Sequence, residues 1–389
     1  MNDLITDIIQ SIKSVLPANI GPVALHEPTF KGREWEYVKE CLDTGWVSSA
    51  GPFVTKFEQQ LSEYTGVQFA CATVNGTAAL HICLLLSGVK PGDEVIIPDL
   101  TFVATANAVS YCGAIPHLVD VEKVSLGLNP SKLELYLKDL TIVRAGECFN
   151  RLTGRRIKSV VPMHTFGHPV DIDALTEIAN KYHLVVVEDA AEALGSYYKG
   201  RHVGSGGLLA ALSFNGNKTV TTGGGGAILT QNPELAKLAK HITTTAKVPH
   251  SWAFYHDMVG YNYRLPNINA ALGCAQLEQL PAFIANKRYL ADKYQQVFKA
   301  VKGVEFVKEP AYAKSNYWLN SILLDTEELR DQALAVTQEQ GIYTRPAWIL
   351  MHNLPMYKDS PRMSLEEAEN LASRLLNLPS SAFLGEKDE

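Results

Sequence analysis

The sequence predicts an α/β fold: a mainly parallel sheet covered by helices, with a smaller C-terminal α+β lobe. Three observations carry this. Apolar runs such as EVIIP and HLVVV are continuous rather than alternating, as strands buried on both faces require. Helical periodicity separates these runs, which implies βαβ units. After roughly Pro249 the alternation gives way to one long helical pattern.

In chain order, MNDLITDIIQSIKSVL places Leu4, Ile8 and Ile12 every four residues, with Ile5 and Ile9 beside them. That spacing predicts an amphipathic helix, packed on its own domain or on a neighbouring subunit. Its acidic start is unlike a secretory signal. FEQQLSEYTG (57–66) is a helix stopped by Gly66, and QFACATV (68–74) a strand. TAALHICLLLSG (77–88) is helical to Gly88, DEVIIPDL (93–100) a strand, TANAVSYCG (105–113) a helix and AIPHLVDV (114–121) extended. Residues 141–156 have weak periodicity and read as a basic loop. IKSVVPMHTF (157–166) and HLVVVEDAA (183–191) are strands flanking the helix DIDALTEIANKY (171–182), whose acidic first turn suits the helix dipole. Residues 268–298 read as long helix, bent or broken at Pro281; VEFVKEP and YWLNSILL follow as strands and EELRDQALAVTQEQG as a helix. The expected division is a helix and arm over 1–30, a large domain over 31–250 and a small domain over 251–389.

Composition excludes several function classes. The 389 residues hold 35 Lys plus Arg against 41 Asp plus Glu, a net charge of -6. Nucleic-acid binding runs on clustered positive charge, and a membrane-surface binder needs a basic amphipathic face. Neither is present, and no apolar run reaches the ~20 residues of a spanning helix. The six cysteines form no CxxC pair and several sit inside apolar runs, so a reduced, cytoplasmic protein is expected.

Ligands of open α/β sheets bind beyond the carboxyl ends of the strands, and four loops there carry chemistry. Asn75-Gly76-Thr77 follows a strand and opens a helix; free N–H groups there would cradle a phosphate, or Thr77 is a plain N-cap. Glu188-Asp189-Ala190-Ala191-Glu192 ends an apolar strand, where Asp189 could pair with a protonated ring nitrogen, a magnesium ion or a ribose hydroxyl. Ser213 to Thr219 sets Lys218 between a strand end and the run Gly223 to Gly226. Lysine shifts its pKa on burial and forms covalent bonds to carbonyls. It is not a P-loop lysine, since Asn217 stands where GxxxxGK(S/T) needs glycine. His164 and His168 have zinc-like i,i+4 spacing, but Gly167 and Pro169 argue against the helix that spacing needs. No metal site is expected, and hydrogen-bonding or site-lining histidines are the reading.

Together a phosphate cradle, an acid at a strand end, a serine and a lysine describe pyridoxal phosphate (PLP): held by its phosphate, kept protonated at its ring nitrogen and bonded through its aldehyde to lysine. The sequence resembles the DegT/DnrJ/EryC1 family of PLP-dependent nucleotide-sugar aminotransferases, which share the aspartate aminotransferase (type I) fold. The resemblance spans about residues 25 to 355, through Gly45-Trp46-Val47-Ser48-Ser49, NGTAAL (75–80), GDEVIIP (92–98), EDAAEALGS (188–196), SFNGNK (213–218), TTGGGG (221–226) and GYNYRLP (260–266). It implies Lys218 as the cofactor lysine, Asp189 as the ring-nitrogen partner, and Gly76, Thr77 and Ser213 as phosphate contacts. Phe102 would stack on the ring, and Glu192 would lie near the ring oxygen. Asn262 would reach the phosphate from the other subunit, implying a homodimer with shared active sites. His164, Arg264, Arg345 and His352 become substrate-side candidates.

Lys218 in place of histidine implies transamination rather than dehydration. TGRRIKSVVPMHTFGHPVDID and SFNGNKTVTTGGGG resemble the branch acting on UDP-4-keto-6-deoxy-N-acetylhexosamines, which supplies bacillosamine or legionaminic acid pathways of surface glycans. The expected reaction moves an amino group from glutamate to C4 of such a sugar, notably UDP-4-keto-6-deoxy-N-acetylglucosamine. A 3-aminotransferase on a dTDP sugar is the near alternative. A metal-dependent hydrolase built on Asp189, His164 and His168 predicts stoichiometric metal, and a non-catalytic PLP-binding sensor predicts cofactor without turnover.

Overall fold

The structure, a computed structural model, describes residues 3–17 and 21–386; the remaining ends of the expected N-terminal arm and small domain lie outside the described residues. Its main sheet has nine strands: β1 (Phe69–Thr73), β2 (Glu94–Pro98), β3 (Ile115–Val119), β4 (Thr141–Arg144), β5 (Glu147–Asn150), β6 (Arg156–Val160), β7 (Val185–Asp189), β10 (Leu209–Ser213) and β11 (Gly226–Thr230). A short ribbon joins β8 (Tyr197–Tyr198), β9 (Arg201–His202) and β13 (Ala313–Lys314). The second sheet runs β12 (Val304–Phe306), β14 (Asn320–Leu324), β16 (Leu375–Leu378), β15 (Arg345–Pro346).

The backbone of the main sheet runs in the order β1-β11-β10-β7-β6-β2-β3. Pairs from β10 through β3 are parallel, and β11 is antiparallel to both neighbours. The reason is local: β10 and β11 are joined by residues 214–225, which form no helix and fold back as a loop, so the chain returns antiparallel. Val95 and Ile97 of β2 enter one core and Ile96 the other; Leu209 and Ala211 of β10 likewise oppose Ala210 and Leu212. Burial on both faces is what made these strands read as continuous apolar runs.

The expected loop at 141–156 is instead the β4–β5 hairpin, which pairs on through β5 to β6. Its two-residue turn, Ala145-Gly146, has positive φ at both positions (50° and 77°), the geometry that matches strand twist. β4 buries only its first residue, so it left almost no periodic signal. The helix Asn267–Phe298 runs through Pro281 without a break. Pro281 lies on the exposed side, where its ring and missing N–H cost one hydrogen bond without displacing a packed neighbour.

The N-terminal helix, Asp3–Val15, buries Ile5, Ile8, Ile9, Ile12 and Val15 in one core with Leu290, Tyr294, Phe298 and Leu376. It therefore packs on its own chain. Each such aliphatic side chain contributes about 1.5–3 kcal/mol by leaving water. All six cysteines are free and buried, and among the described residues no helix is long and apolar enough to cross a membrane.

Candidate active site

The carboxyl ends of β1, β2, β7 and β10 open onto one cavity of about 270 Å³. Larger open grooves, of about 640 and 860 Å³, lie elsewhere on the surface and receive none of these strand ends. Seven residues singled out from the sequence line the cavity together: Gly76, Thr77, Phe102, Asp189, Glu192, Ser213 and Lys218. They come from segments far apart in the chain, and the parallel sheet converges them because each sits just past a strand.

At one end the helix Gly76–Leu86 presents its N-terminus. The N-cap is Asn75, whose Oδ1 accepts the Ala78 N–H at 2.7 Å, so Thr77 is not the cap and its hydroxyl is left for the cavity. A Cβ on Gly76 would lie 2.8 Å from Ser213 Cβ, and one on Gly226 would overlap the Asn75 carbonyl. Only glycine lets these backbones meet, and the meeting shapes an anion cradle at the positive end of a helix.

Asp189 ends β7, buried at 2% exposure. Thr105 Oγ1 donates to its Oδ2 at 2.7 Å and the Ala191 N–H to its Oδ1 at 3.2 Å. Burial pushes its carboxyl above the ordinary range, against the pull of those donors and Lys218. Lys218 stands on the β10–β11 loop with its Nζ 3.1 Å from Glu192 Oε1 and 3.8 Å from the centre of the Trp318 ring. Glu192 is also buried; its Oε2 accepts the Phe166 N–H at 2.9 Å. Burial pushes its carboxyl up to about 7, with Lys218 opposing the shift.

Six other residues singled out from the sequence lie off the cavity. His164 is fully buried, donating from Nε2 to Glu188 at 2.9 Å while its Nδ1 accepts the Val170 N–H. Burial alone would raise the Glu188 carboxyl; His164 and the amides of Gly204 and Gly207 outweigh it and hold the group low. His168, expected to hydrogen-bond or line the site, does neither: it is buried edge-on against Tyr317 at 5.3 Å, and neither ring nitrogen has a hydrogen-bond partner among the described residues. Arg264 Nη1 bonds Glu58 Oε1 at 2.9 Å and the Ala72 carbonyl at 3.2 Å. Arg345 is exposed at the edge of the second sheet, and His352 pairs with Asp99. Asn262 is exposed beside its bridge partner Thr244. Sequence reasoning missed Trp318 and Trp348, which close the cavity from the second lobe, and Thr105. Trp318 sits inside YWLNSILL, where it reads as one more apolar residue before a strand.

A cavity with a lysine, an opposing buried carboxylate and an anion cradle fits pyridoxal phosphate, and with this sheet order it defines a PLP-dependent enzyme of the aspartate aminotransferase-like fold. The chain belongs to the DegT/DnrJ/EryC1/StrS aminotransferase family, whose profile matches residues 28–389. It is a PLP-dependent aminotransferase. It is 39% identical over 358 residues to the GDP-perosamine synthase of Escherichia coli O157:H7, covering 92% of this chain and 93% of that one. The putative pyridoxal phosphate-dependent aminotransferase EpsN of Bacillus subtilis (strain 168) is 34% identical over 371 residues, 94% and 93% of the two chains. The solved aminotransferase TlmJ from Streptoalloteichus hindustanus superimposes with a TM-score of 0.84 at 29% identity, covering 92% of this chain and 94% of that one.

Proposed function

We propose that the chain transfers an amino group from glutamate to C4 of a nucleotide-linked 4-keto-6-deoxy sugar. The carrying observation is the position of Lys218, between Glu192 and Trp318 in a cavity whose other walls are Asp189 and the Gly76 cradle. When bound, PLP supplies an aldehyde that bonds amines and a protonated ring that withdraws electrons as a C–H bond breaks.

The residues divide the work. Lys218 would hold the cofactor and, once freed, would serve as the amine that takes and returns the proton, acting as base and then as acid. Asp189 keeps the ring nitrogen protonated; a positive partner offsets the burial that otherwise raises its carboxyl. Gly76, Thr77 and Ser213 would bind the phosphate, Phe102 would stack on the ring, and Glu192 would lie near the ring oxygen. Exposed Asn262, with Trp252 (82%) and Phe254 (81%) exposed in the same stretch between Thr244 and Asn262, supports a homodimer in which Asn262 reaches the partner's site. The buried free thiols support a cytoplasmic setting.

Two observations bear on the sugar. The motifs around Met163 and Lys218 support UDP-4-keto-6-deoxy-N-acetylglucosamine, and relatives named GDP-perosamine synthase support a GDP-linked one. Incubating the protein with PLP, glutamate and each keto sugar in turn decides between them, with mass spectrometry of the sugar and assay of 2-oxoglutarate. Amination of one sugar assigns the nucleotide. Transamination between amino acids with no nucleotide sugar accepted would overturn the reading.

A further inference from the structure

We propose that Trp318 is a positioning residue for Lys218: its indole face is where the lysine ammonium rests whenever it is not bonded to the cofactor. This rests on the reading of Lys218 given above. The Nζ lies 3.8 Å from the ring centre, well within the distance at which an aromatic face attracts a cation, and Trp318 is only 5% exposed. Glu192 Oε1, 3.1 Å away, holds the ammonium from another direction.

The indole is itself fixed at every end. Its Nε1–H donates to the Asn217 carbonyl at 2.8 Å, the residue immediately before Lys218, so ring and lysine loop share one register. Its backbone N–H donates to Asn316 Oδ1 at 2.8 Å, and Asn316 Nδ2 donates to the carbonyls of Glu192 and Leu194, both at 2.9 Å. Its carbonyl accepts from Lys287 Nζ at 3.2 Å, inside the protein. Between them Tyr317 holds φ +48°, a left-handed conformation unfavourable for a bulky residue. That bend sends the Asn316 side chain to the Glu192 loop and the Trp318 side chain to Lys218. Backbone strain of this kind persists where surrounding contacts over-determine it. A leucine would cover the cavity equally well; it would not attract an ammonium or hold the Asn217 carbonyl.

The rest position serves the reaction. An amine on four rotatable carbons loses reach by wandering, and holding it over one face keeps it between the carbons it must serve. The test compares wild type with Trp318→Phe, Trp318→Leu and a protein carrying trifluorotryptophan at 318 alone, which keeps the shape and drains the ring of negative charge. In full-length protein freed of cofactor, acylation of Lys218 by acetic anhydride is followed by peptide mass spectrometry at one fixed pH. Trp318→Leu and the fluorinated protein should be acylated about threefold to thirtyfold faster, and Trp318→Phe within about threefold of wild type. In the holoenzymes the single-turnover rate with glutamate should fall in the same order while PLP content stays level. Equal acylation of the fluorinated and wild-type proteins overturns the proposal, and that comparison survives if Trp318→Leu does not fold. Borohydride reduction of the wild-type holoenzyme separates the two ideas: PLP mass on a lysine other than Lys218 defeats the underlying reading, whatever Trp318 does.

Discussion

Asp99 Oδ2 lies 2.7 Å from His352 Nδ1, and Asp99 Oδ1 accepts the His352 backbone N–H at 2.9 Å. Asp99 follows β2 directly, and its own carbonyl accepts the Met351 N–H at 3.1 Å. The motif that suggested a substrate contact is thus a clasp between the two sheets. Burial raises the Asp99 carboxyl, and its bonds to His352 only partly offset this. Asp99→Ala leaves His352 with only Glu369, 3.5 Å from its Nε2, and should destabilise the fold by about 1–3 kcal/mol, read by denaturant melts. An unchanged midpoint would show that the clasp contributes nothing.

If Lys218 is the covalent anchor and proton carrier proposed above, Lys218→Ala should lower kcat by roughly four orders of magnitude. The protein should still bind PLP, seen as cofactor retained through gel filtration. Turnover within tenfold of wild type would remove Lys218 from the mechanism.

Replacing Asp189 by Asn keeps its size and removes its charge. If Asp189 pairs with the ring nitrogen as proposed, kcat should fall by roughly a hundredfold or more, with Tm within a few degrees of wild type. A change confined to KM would argue for a different role.

Glu192, pushed up to about 7, makes stability of the cofactor-free protein depend on pH. Its folded value lies above the ordinary 4.5, so the folded state holds the proton more tightly. Stability should therefore fall as pH rises from about 4.5 through 7, by up to about 3 kcal/mol from this group, and level off above. Melts of Glu192→Gln across that window should show a flatter profile; an identical slope would place the pH dependence elsewhere.

Arg264 and Asn262 separate structure from assembly. Arg264→Ala leaves the 6% exposed Glu58 carboxylate with Lys240, 2.9 Å away, and the Ala72 N–H as its remaining partners, and should cost about 1–3 kcal/mol. Asn262→Ala should instead weaken PLP retention without that loss. Mixing inactive Asn262→Ala and Lys218→Ala chains should restore up to about a quarter of wild-type activity if sites are shared in a dimer, as half the dimers would be hybrids with one intact site. No restoration after subunit exchange would count against shared sites.

What the sequence determined by itself is chemistry tied to strand ends. Asp189, Ser213 and Lys218 were legible because each follows a short apolar run, and a parallel sheet sends all such ends to one side. Gly76 and Gly226 were visible as glycines, but their reason, the approach of Asn75 and Ser213 to them, is a contact between distant segments. The tertiary structure alone decided the partners of the remaining polar residues. His164 meets Glu188, Arg264 meets Glu58, and His352 meets Asp99, so three residues expected at the substrate are held by carboxylates off the cavity. Trp318 meets Lys218 only because the left-handed Tyr317 turns it there. Periodicity records which face of an element is buried, whereas these pairings depend on how elements from different parts of the chain pack against each other. No spacing along the chain encodes that packing.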